Sequence, residues 1–427
     1  MRTDDTPGSR VICRAAALLM ISILQAAAQP PNSGTFKNLT VRAEVRSRYE
    51  ARQGVAFGLN PDVDVLLVRS RLGVTYTPAP WFRVTGALQD ARAPFYGPNA
   101  PGSMRDSADL YESYFELFPD RNGFGMTAGR AELRYGEGRL LATSSWGNVP
   151  RPFDHARVYY RLPKARLELL FISPVKIRTG EFNRPSLGER VWGTYNVFPT
   201  LYRGMLLEAF ALRREQNRPG GFTGGDRALG TDRLTVNTFG FHTAGRLVRG
   251  VDCAADGILQ TGRVAGARQR AGAGVLGLSR RWMIAGRALT LLVEYKYASE
   301  SFDQLYPSTH DRFGHQDLFG WRNIHNVRSL GTLEILRSFS VSLMYNDSWL
   351  ANPREALYNT SGQAIARSPD GAAGRHIGRE LDIFGTYKFR RFLFGAGYGY
   401  FFKGEFVRAA TPGINSSYAY CFQSVTY

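Results

Sequence analysis

Cysteine is nearly absent from this 427-residue chain: Cys13, Cys253 and Cys421 are the only three. Two of them lie beyond the N-terminal region, too few for a disulfide scaffold. Lysine is almost as scarce. Of 54 basic residues only six are lysine, at positions 37, 164, 176, 296, 388 and 403, so the formal net charge of +18 is an arginine charge. No long apolar run follows Gln29 and mean hydropathy is −0.26, which excludes a membrane protein built from helices. Signatures of catalysis are missing too. There is no H-E-x-x-H, no paired-cysteine spacing and no G-x-S-x-G, and the glycines at 136 and 138 fall between strand-like segments rather than before a helix. His310, His315 and His325 share a segment with Asp303, Asp311 and Asp317, but without metal-ligand spacing they read as a polar loop. No enzyme, metal or cofactor is expected.

At the N-terminus, Arg2, Arg10 and Arg14 precede the apolar run Ala15 to Ala27, which ends at Ala26-Ala27-Ala28. A charged segment, a short apolar segment and small residues at a cleavage position predict a secretory signal over 1–28, leaving 29–427 as the exported unit. The alternative is a membrane anchor, for which the run is shorter than the roughly 20 residues a spanning helix needs.

Alternation dominates the remainder. Leu39, Val41, Ala43 and Val45 oppose Thr40, Arg42, Glu44 and Arg46; Val68, Ser70, Leu72, Val74 and Tyr76 oppose Arg69, Arg71, Gly73, Thr75 and Thr77. A period of two with one greasy and one charged face places each strand between lipid and water. Between the strands, short turns alternate with long polar connections near 93–108, 136–153, 214–231, 300–324 and 351–376. Such asymmetry marks an outer-membrane barrel with tight periplasmic turns and long external loops. The predicted strands lie near 39–49, 63–77, 81–91, 109–118, 124–135, 154–162, 166–173, 191–198, 203–213, 233–242, 254–263, 271–282, 288–299, 326–335, 339–350, 379–389, 392–402 and 416–427. That gives an all-β, antiparallel up-and-down barrel of about eighteen strands. Trp81, Tyr135, Tyr160, Tyr345, Trp349, Phe389 and Phe392 are candidates for its interfacial aromatic girdles.

If the greasy face meets lipid, the other lines a water-filled bore. Its predicted lining is Arg42, Arg46, Arg48, Arg69, Arg71, Arg83, Arg130, Arg134, Arg157, Arg161 and Arg328, interleaved with Glu44, Glu112, Glu116, Glu132, Glu208, Glu294 and Glu334. Arginine rings select anions, and the acids weaken the hold enough for release. Equally open is a structural role, in which these pairs are cross-strand ion pairs each worth under about 1 kcal/mol. Arginine's planar fork suits carboxylates better than lysine does, although coding bias also explains its abundance. Export argues against a nucleic-acid partner.

The stretch 129–161, GRAELRYGEGRLLATSSWGNVPRPFDHARVYYR, and the stretch 306–324, YPSTHDRFGHQDLFGWRNI, resemble the alginate-export family of outer-membrane proteins. YTPAPW from Tyr76, LQDAR from Leu88 and EALYN from Glu355 extend the resemblance over nearly the whole exported chain. The resemblance implies an eighteen-stranded barrel with an electropositive lumen that passes a polyuronate outward. His155 departs from the small residue common there in relatives. The expected function is an outer-membrane channel for an anionic polysaccharide or oligosaccharide; the alternative is a general or anion-selective porin for small solutes. Expected surroundings are outer-membrane lipid, the barrel-assembly machinery and possible periplasmic export partners, with the protein a monomer. The loop from Gly136 to Phe153, with Trp146 and Arg151, is expected to fold over or into the mouth.

Overall fold

The computed structural model describes residues 38–96, 100–202, 204–217 and 233–427, so the leader proposed over 1–28 lies outside the described residues. Eighteen antiparallel strands form the wall: β1 (Leu39–Gln53), β2 (Val63–Ala79), β3 (Phe82–Arg92), β4 (Asp106–Leu117), β5 (Gly123–Ala131), β6 (Phe153–Leu162), β7 (Ala165–Lys176), β8 (Glu189–Tyr202), β9 (Met205–Gln216), β10 (Leu234–Val248), β11 (Val251–Val264), β12 (Ala267–Ile284), β13 (Arg287–Ala298), β14 (Ile324–Leu336), β15 (Phe339–Leu350), β16 (His376–Phe389), β17 (Phe392–Lys403) and β18 (Ser416–Thr426). Each pairs with the next, and β18 closes the barrel on β1 with Tyr49 opposite Cys421. Closure removes the exposed edges that an open sheet would leave in lipid.

One end carries two- to five-residue turns, such as Arg390-Arg391 between β16 and β17; the other carries the long loops. Ala265-Gly266, between β11 and β12, is a two-residue exception at the loop end. Three long loops matter below: loop A (132–152), loop B (299–323) and loop C (351–375). A short helix, α1 (Glu405–Ala410), caps the connection before β18.

The outward faces are apolar and exposed, as Val41, Leu72, Val74, Leu88, Phe124, Leu169, Phe171, Phe239 and Leu276 illustrate. This is the reverse of a soluble protein, and lipid is the solvent that satisfies it. Among the girdle candidates, Trp81, Tyr160, Tyr345 and Phe389 are exposed at their strands. Tyr135 is not among them. It lies inside the barrel, donating a hydrogen bond to Glu168 and packing 4.6 Å from the Tyr195 ring.

The loop half of the bore departs from the expected open channel. Loops A and B fold inward and bring an apolar core with them, in which Leu133, Leu141, Phe302, Tyr306, Phe313 and Trp321 pack against wall residues such as Phe153, Ile172 and Phe401. This explains why β5 stops at Ala131 instead of running to Tyr135. Leu133 and Tyr135 look outward by periodicity, yet their apolar surroundings are supplied by the inner core rather than by lipid.

Gly129 sits in β5 at φ 127°, where a Cβ would fall well inside contact distance of the Ser113 carbonyl oxygen across the ladder. Gly129→Val forces that backbone apart at a cost of about 1–3 kcal/mol. The variant is expected to show a lower midpoint than wild type for urea-induced loss of the compact, heat-modifiable gel band; an unchanged midpoint contradicts this.

Candidate functional site

On β1 the inward positions are Arg42, Glu44, Arg46, Arg48, Glu50 and Arg52, an unbroken ladder of charged residues rising from the turn end to the loop end. β2 places Arg69 opposite Arg46 and Arg71 opposite Glu44. Acids pair with both levels, Arg48 with Glu50 at 2.7 Å and Arg69 with Glu44 at 2.6 Å among them, but the arginines divide into two groups by whether they also touch loop A.

The upper group grips loop A. Arg46 donates to the carbonyls of Ser145, Trp146 and Gly147 at 2.9–3.0 Å, Arg48 donates to the Trp146 carbonyl, and Arg69 donates to Gly147 at 2.9 Å. All three are buried. Carbonyls carried into the bore need donors, and a forked guanidinium supplies several at once. The Trp146 ring lies under the Arg48 guanidinium at 4.1 Å, stacks on His310 of loop B at 4.1 Å and meets Tyr420 edge-on at 5.0 Å. Asn148, next to the tip, donates to the Val68, Arg92 and Met104 carbonyls.

The lower group is matched by acids. Arg42 faces Glu112 at 3.7 Å, Arg71 faces Glu132 at 3.0 Å, and Arg83 holds Glu116 at 3.3 Å and Asp120 at 2.5 Å. Arg42 is the open member, with 57% of its side chain exposed. Across the bore, Arg157 and Arg166 surround Glu168, and Arg161 donates to the Pro119 carbonyl near the turn end.

Loops A and B are stitched together. Ala142 donates to the Tyr306 carbonyl at 2.9 Å, Tyr306 to Leu140 at 2.8 Å and Ser308 to Gly138 at 2.9 Å. Arg139 of loop A reaches Glu294 at 2.5 Å, Glu137 at 2.8 Å and Asp256 at 3.3 Å. Burial alone would lower the Arg139 pKa; the three acids override it, led by Glu294, and raise it. Arg312 of loop B donates to the Glu137 carbonyl, and burial beside Arg139 and Arg134 pushes its guanidinium down to about 10. Lys296, wholly buried on β13, pairs with Glu294 at 2.9 Å. Arg328 joins Asp311 of loop B at 3.0 Å, and Glu380 accepts from the Gln316 amide at 3.0 Å.

Of the predicted lining, Arg42, Glu44, Arg46, Arg48, Arg69, Arg71, Arg83, Glu112, Glu116, Arg157, Arg161, Arg328, Glu208, Glu294 and Glu334 occupy inward positions of their strands. Glu132 and Arg134 are inside but belong to loop A, not to the wall. Arg130 is a correction. It shares the outward set of β5 with Phe124 and Met126 and grips Asp154 of β6 through two bonds of 2.7 and 3.0 Å at the loop-end rim. β5 is glycine- and alanine-rich, and its inward positions are Gly125, Thr127, Gly129 and Ala131, which inverts the parity its charges suggest. Sequence reading missed Glu50 and Arg52, which continue the β1 alternation past the predicted end at 49, and missed Lys296, Glu380 and Asp382 on later strands. Arg139 and Arg312 arise from loops, where no periodicity marks them. The histidine segment splits: His310 pairs with Asp317 at 2.9 Å and packs beside His315, which lies 3.7 Å from Asp311, whereas His325 faces outward beside Tyr295 and Asp303 holds Arg214. Among the described residues, no group of three or more His, Cys, Asp or Glu is placed to hold a metal ion.

A closed eighteen-stranded barrel with an apolar exterior, a charged bore and infolded loops is an outer-membrane channel with a porin-like fold. The chain belongs to the alginate export family, whose family model matches residues 37–422. Solved structures with the same fold include OccD3 (OpdP) of Pseudomonas aeruginosa, at 12% identity over 94% of this chain and 96% of that one with a TM-score of 0.61. OccAB1 of Acinetobacter baumannii matches at 10% identity over 94% and 99% with a TM-score of 0.60, and P. aeruginosa OpdK, crystallised with vanillate, at 10% over 92% and 100%, also 0.60. No curated protein matches the sequence.

The pH dependence of loop B follows from His315, which packs against His310, Asp311, Arg328, Phe384 and Tyr420. Burial pushes it down to about 4, against an ordinary value of about 6.5. Between those values a released His315 binds more protons than a seated one, so seating is strongest above about 6.5 and weakens as pH falls toward 4. Single-channel conductance is expected to rise between pH 7 and about 4.5, and His315→Asn to flatten that rise; identical pH profiles for the two proteins contradict it.

Proposed function

We propose that the channel passes an anionic, uronate-rich polysaccharide or oligosaccharide, with lumen arginines guiding its carboxylates. One observation carries the reading: the lower bore holds a track of arginines, Arg42, Arg71 and Arg83, each facing an acid within 4 Å. An arginine fork binds a carboxylate in two-bond geometry, and a neighbouring acid competes for the same fork, so a polymer carboxylate can exchange from one station to the next without being trapped. A field of net positive sign raises the local concentration of an anionic chain at the entrance. Membership of the alginate export family supports a saccharide rather than a nucleic acid or a peptide.

A second reading has its own observation in its favour. Loops A and B occupy much of the loop half of the bore, an arrangement suited to an anion-selective porin for small solutes. The solved structure of OpdK with vanillate supports a carboxylate as the cargo of such a barrel. Under either reading the protein sits as a monomer in outer-membrane lipid, is placed there by the barrel-assembly machinery, and under the first receives its polymer from a periplasmic export partner.

Planar-bilayer recording separates the two. The polysaccharide reading expects anion-selective pores that an oligouronate blocks, and expects Arg42→Glu to lower the anion preference and weaken that block several-fold. Block by small organic acids but not by oligouronates would favour the porin, and no conductance at all would defeat both.

A further inference from the structure

The outward face of β15–β18 carries a largely apolar hollow of about 770 Å³. Its volume falls within the roughly 300–1,000 Å³ typical of small-ligand sites. Ladder partners set its lining in rungs. Phe339, Tyr387 and Phe394 form an aromatic rung near the turn end, with ring centroids 6.4 and 6.5 Å apart. Above it Gly385, Ala396 and Cys421 form a rung of small residues, and Ile383 and Tyr398 form the next. Ile383, Tyr387, Phe394 and Tyr398 are exposed, on the face opposite Glu380 and Asp382 of the bore. The hollow exists because Gly385 and Ala396 stop short where the flanking rungs carry large side chains, and a gap without partner atoms forfeits dispersion until something fills it.

Toward the turn end the same strands are basic. Arg337 lies in the turn between β14 and β15, and Arg390-Arg391 makes up the turn between β16 and β17. The Lys388 amide donates to the Ser338 carbonyl at 2.8 Å, so the two turns are neighbours. All three arginines are exposed. Two of them are steered outward by rings, since the Arg390 guanidinium lies 5.4 Å from the Phe389 ring and that of Arg391 5.0 Å from the Tyr427 ring, both on the lipid-facing side. No acidic side chain occurs from 335 to 346, from 383 to 404 or from 406 to 427. Glu334, at the end of β14, faces the bore and pairs with Arg281 at 3.0 Å.

Depth relates the two features. The strand run from Gly385 to Arg390 covers about 17 Å, which is about 13 Å of depth at a tilt of about 40°. With the turn at headgroup level, the hollow therefore stands about midway through the roughly 25 Å apolar band, where acyl chains lie. One molecule offers both complements, a phosphate for the arginines and an acyl chain for the hollow, and basic residues at a membrane surface attract anionic headgroups. A second copy of the chain fits less well, because a two-fold contact would set Arg337, Arg390 and Arg391 toward their own counterparts. A water-soluble acidic protein could reach the turns but not a hollow facing lipid.

We propose that β15–β18 form a binding site for an anionic phospholipid of the leaflet at the turn end, with its phosphate on Arg337, Arg390 and Arg391 and an acyl chain in the hollow over Gly385 and Ala396. The site lies outside the bore and is independent of the cargo. Since β18 is the strand that closes the barrel on β1, a lipid seated across β15–β18 braces the wall beside its closure.

The test adds cardiolipin or phosphatidylethanolamine to the full-length barrel in detergent and reads bound lipid by native mass spectrometry, with the heat-modifiable gel band as the check on folding. Wild type is expected to bind cardiolipin about tenfold more tightly than the zwitterionic lipid, and the double variant Arg390→Gln, Arg391→Gln to lose most of that preference. Arg390→Lys with Arg391→Lys is expected to keep most of it, since the charge remains. Ala396→Trp, which fills the hollow with a side chain that lipid tolerates, is expected to weaken binding of both lipids several-fold while the compact band persists. Equal binding of the two lipids by wild type overturns the proposal, as does a cardiolipin preference that the glutamine pair leaves unchanged. Cardiolipin binding untouched by Ala396→Trp overturns the placement of the acyl chain. Dimers that Ala396→Trp abolishes and added lipid does not disturb assign the hollow to a second copy and overturn the lipid site.

Discussion

Backbone carbonyls carried into the interior of a barrel need hydrogen-bond donors, and the rest of this structure depends on how that need is met. Arg46, Arg48 and Arg69 provide those donors for Ser145, Trp146 and Gly147. With the tip of loop A fixed against β1 and β2, its base lies against loop B, and the backbone bonds between 138–142 and 306–308 carry loop B inward as well. The apolar core then forms between the two loops and the wall. Remove the three guanidinium forks and the tip keeps its stacking on His310 but loses the bonds that make burial of its carbonyls tolerable.

The same residue type therefore does two jobs at different heights. Near the loop end, arginines are buried structural donors. Toward the turn end they are matched by glutamates, and Arg42, the exposed member, is open to exchange. Between the two zones lies a buried charge network centred on Arg139, Glu294 and Lys296. Breaking one partner of such a network strands the others in a poorly solvated interior, which makes it a specific lock between loop and wall rather than a large source of net stability.

The wall was legible in the sequence because its solvent is lipid on one side and water on the other, and that difference imposes a period of two on almost every strand. Leu39 to Arg46 shows it directly, and the rhythm of short and long connections then fixes the strand number and closure. Legibility failed where the greasy side of a segment faces something other than lipid. Leu133 and Tyr135 keep the strand period after the strand has ended, because the inner core offers them the same apolar surroundings. Arg130 was misplaced because the inward side of β5 carries the small residues Gly125, Thr127, Gly129 and Ala131, so its charge falls on the other face. Arg139 and Arg312 come from loops whose partners are distant in sequence, with 155 positions separating Arg139 from Glu294, and no local pattern encodes such pairs.

The central claim is that two infolded loops, held by wall arginines, set the bore of the proposed anion channel. The most direct measurement is the single-channel conductance, with the reversal potential in a salt gradient, of a barrel in which residues 137–148 are replaced by a short glycine-serine link. The account predicts a conductance several-fold above wild type with anion preference retained, since Arg42, Arg71 and Arg83 remain on the wall. A conductance equal to that of wild type would contradict it.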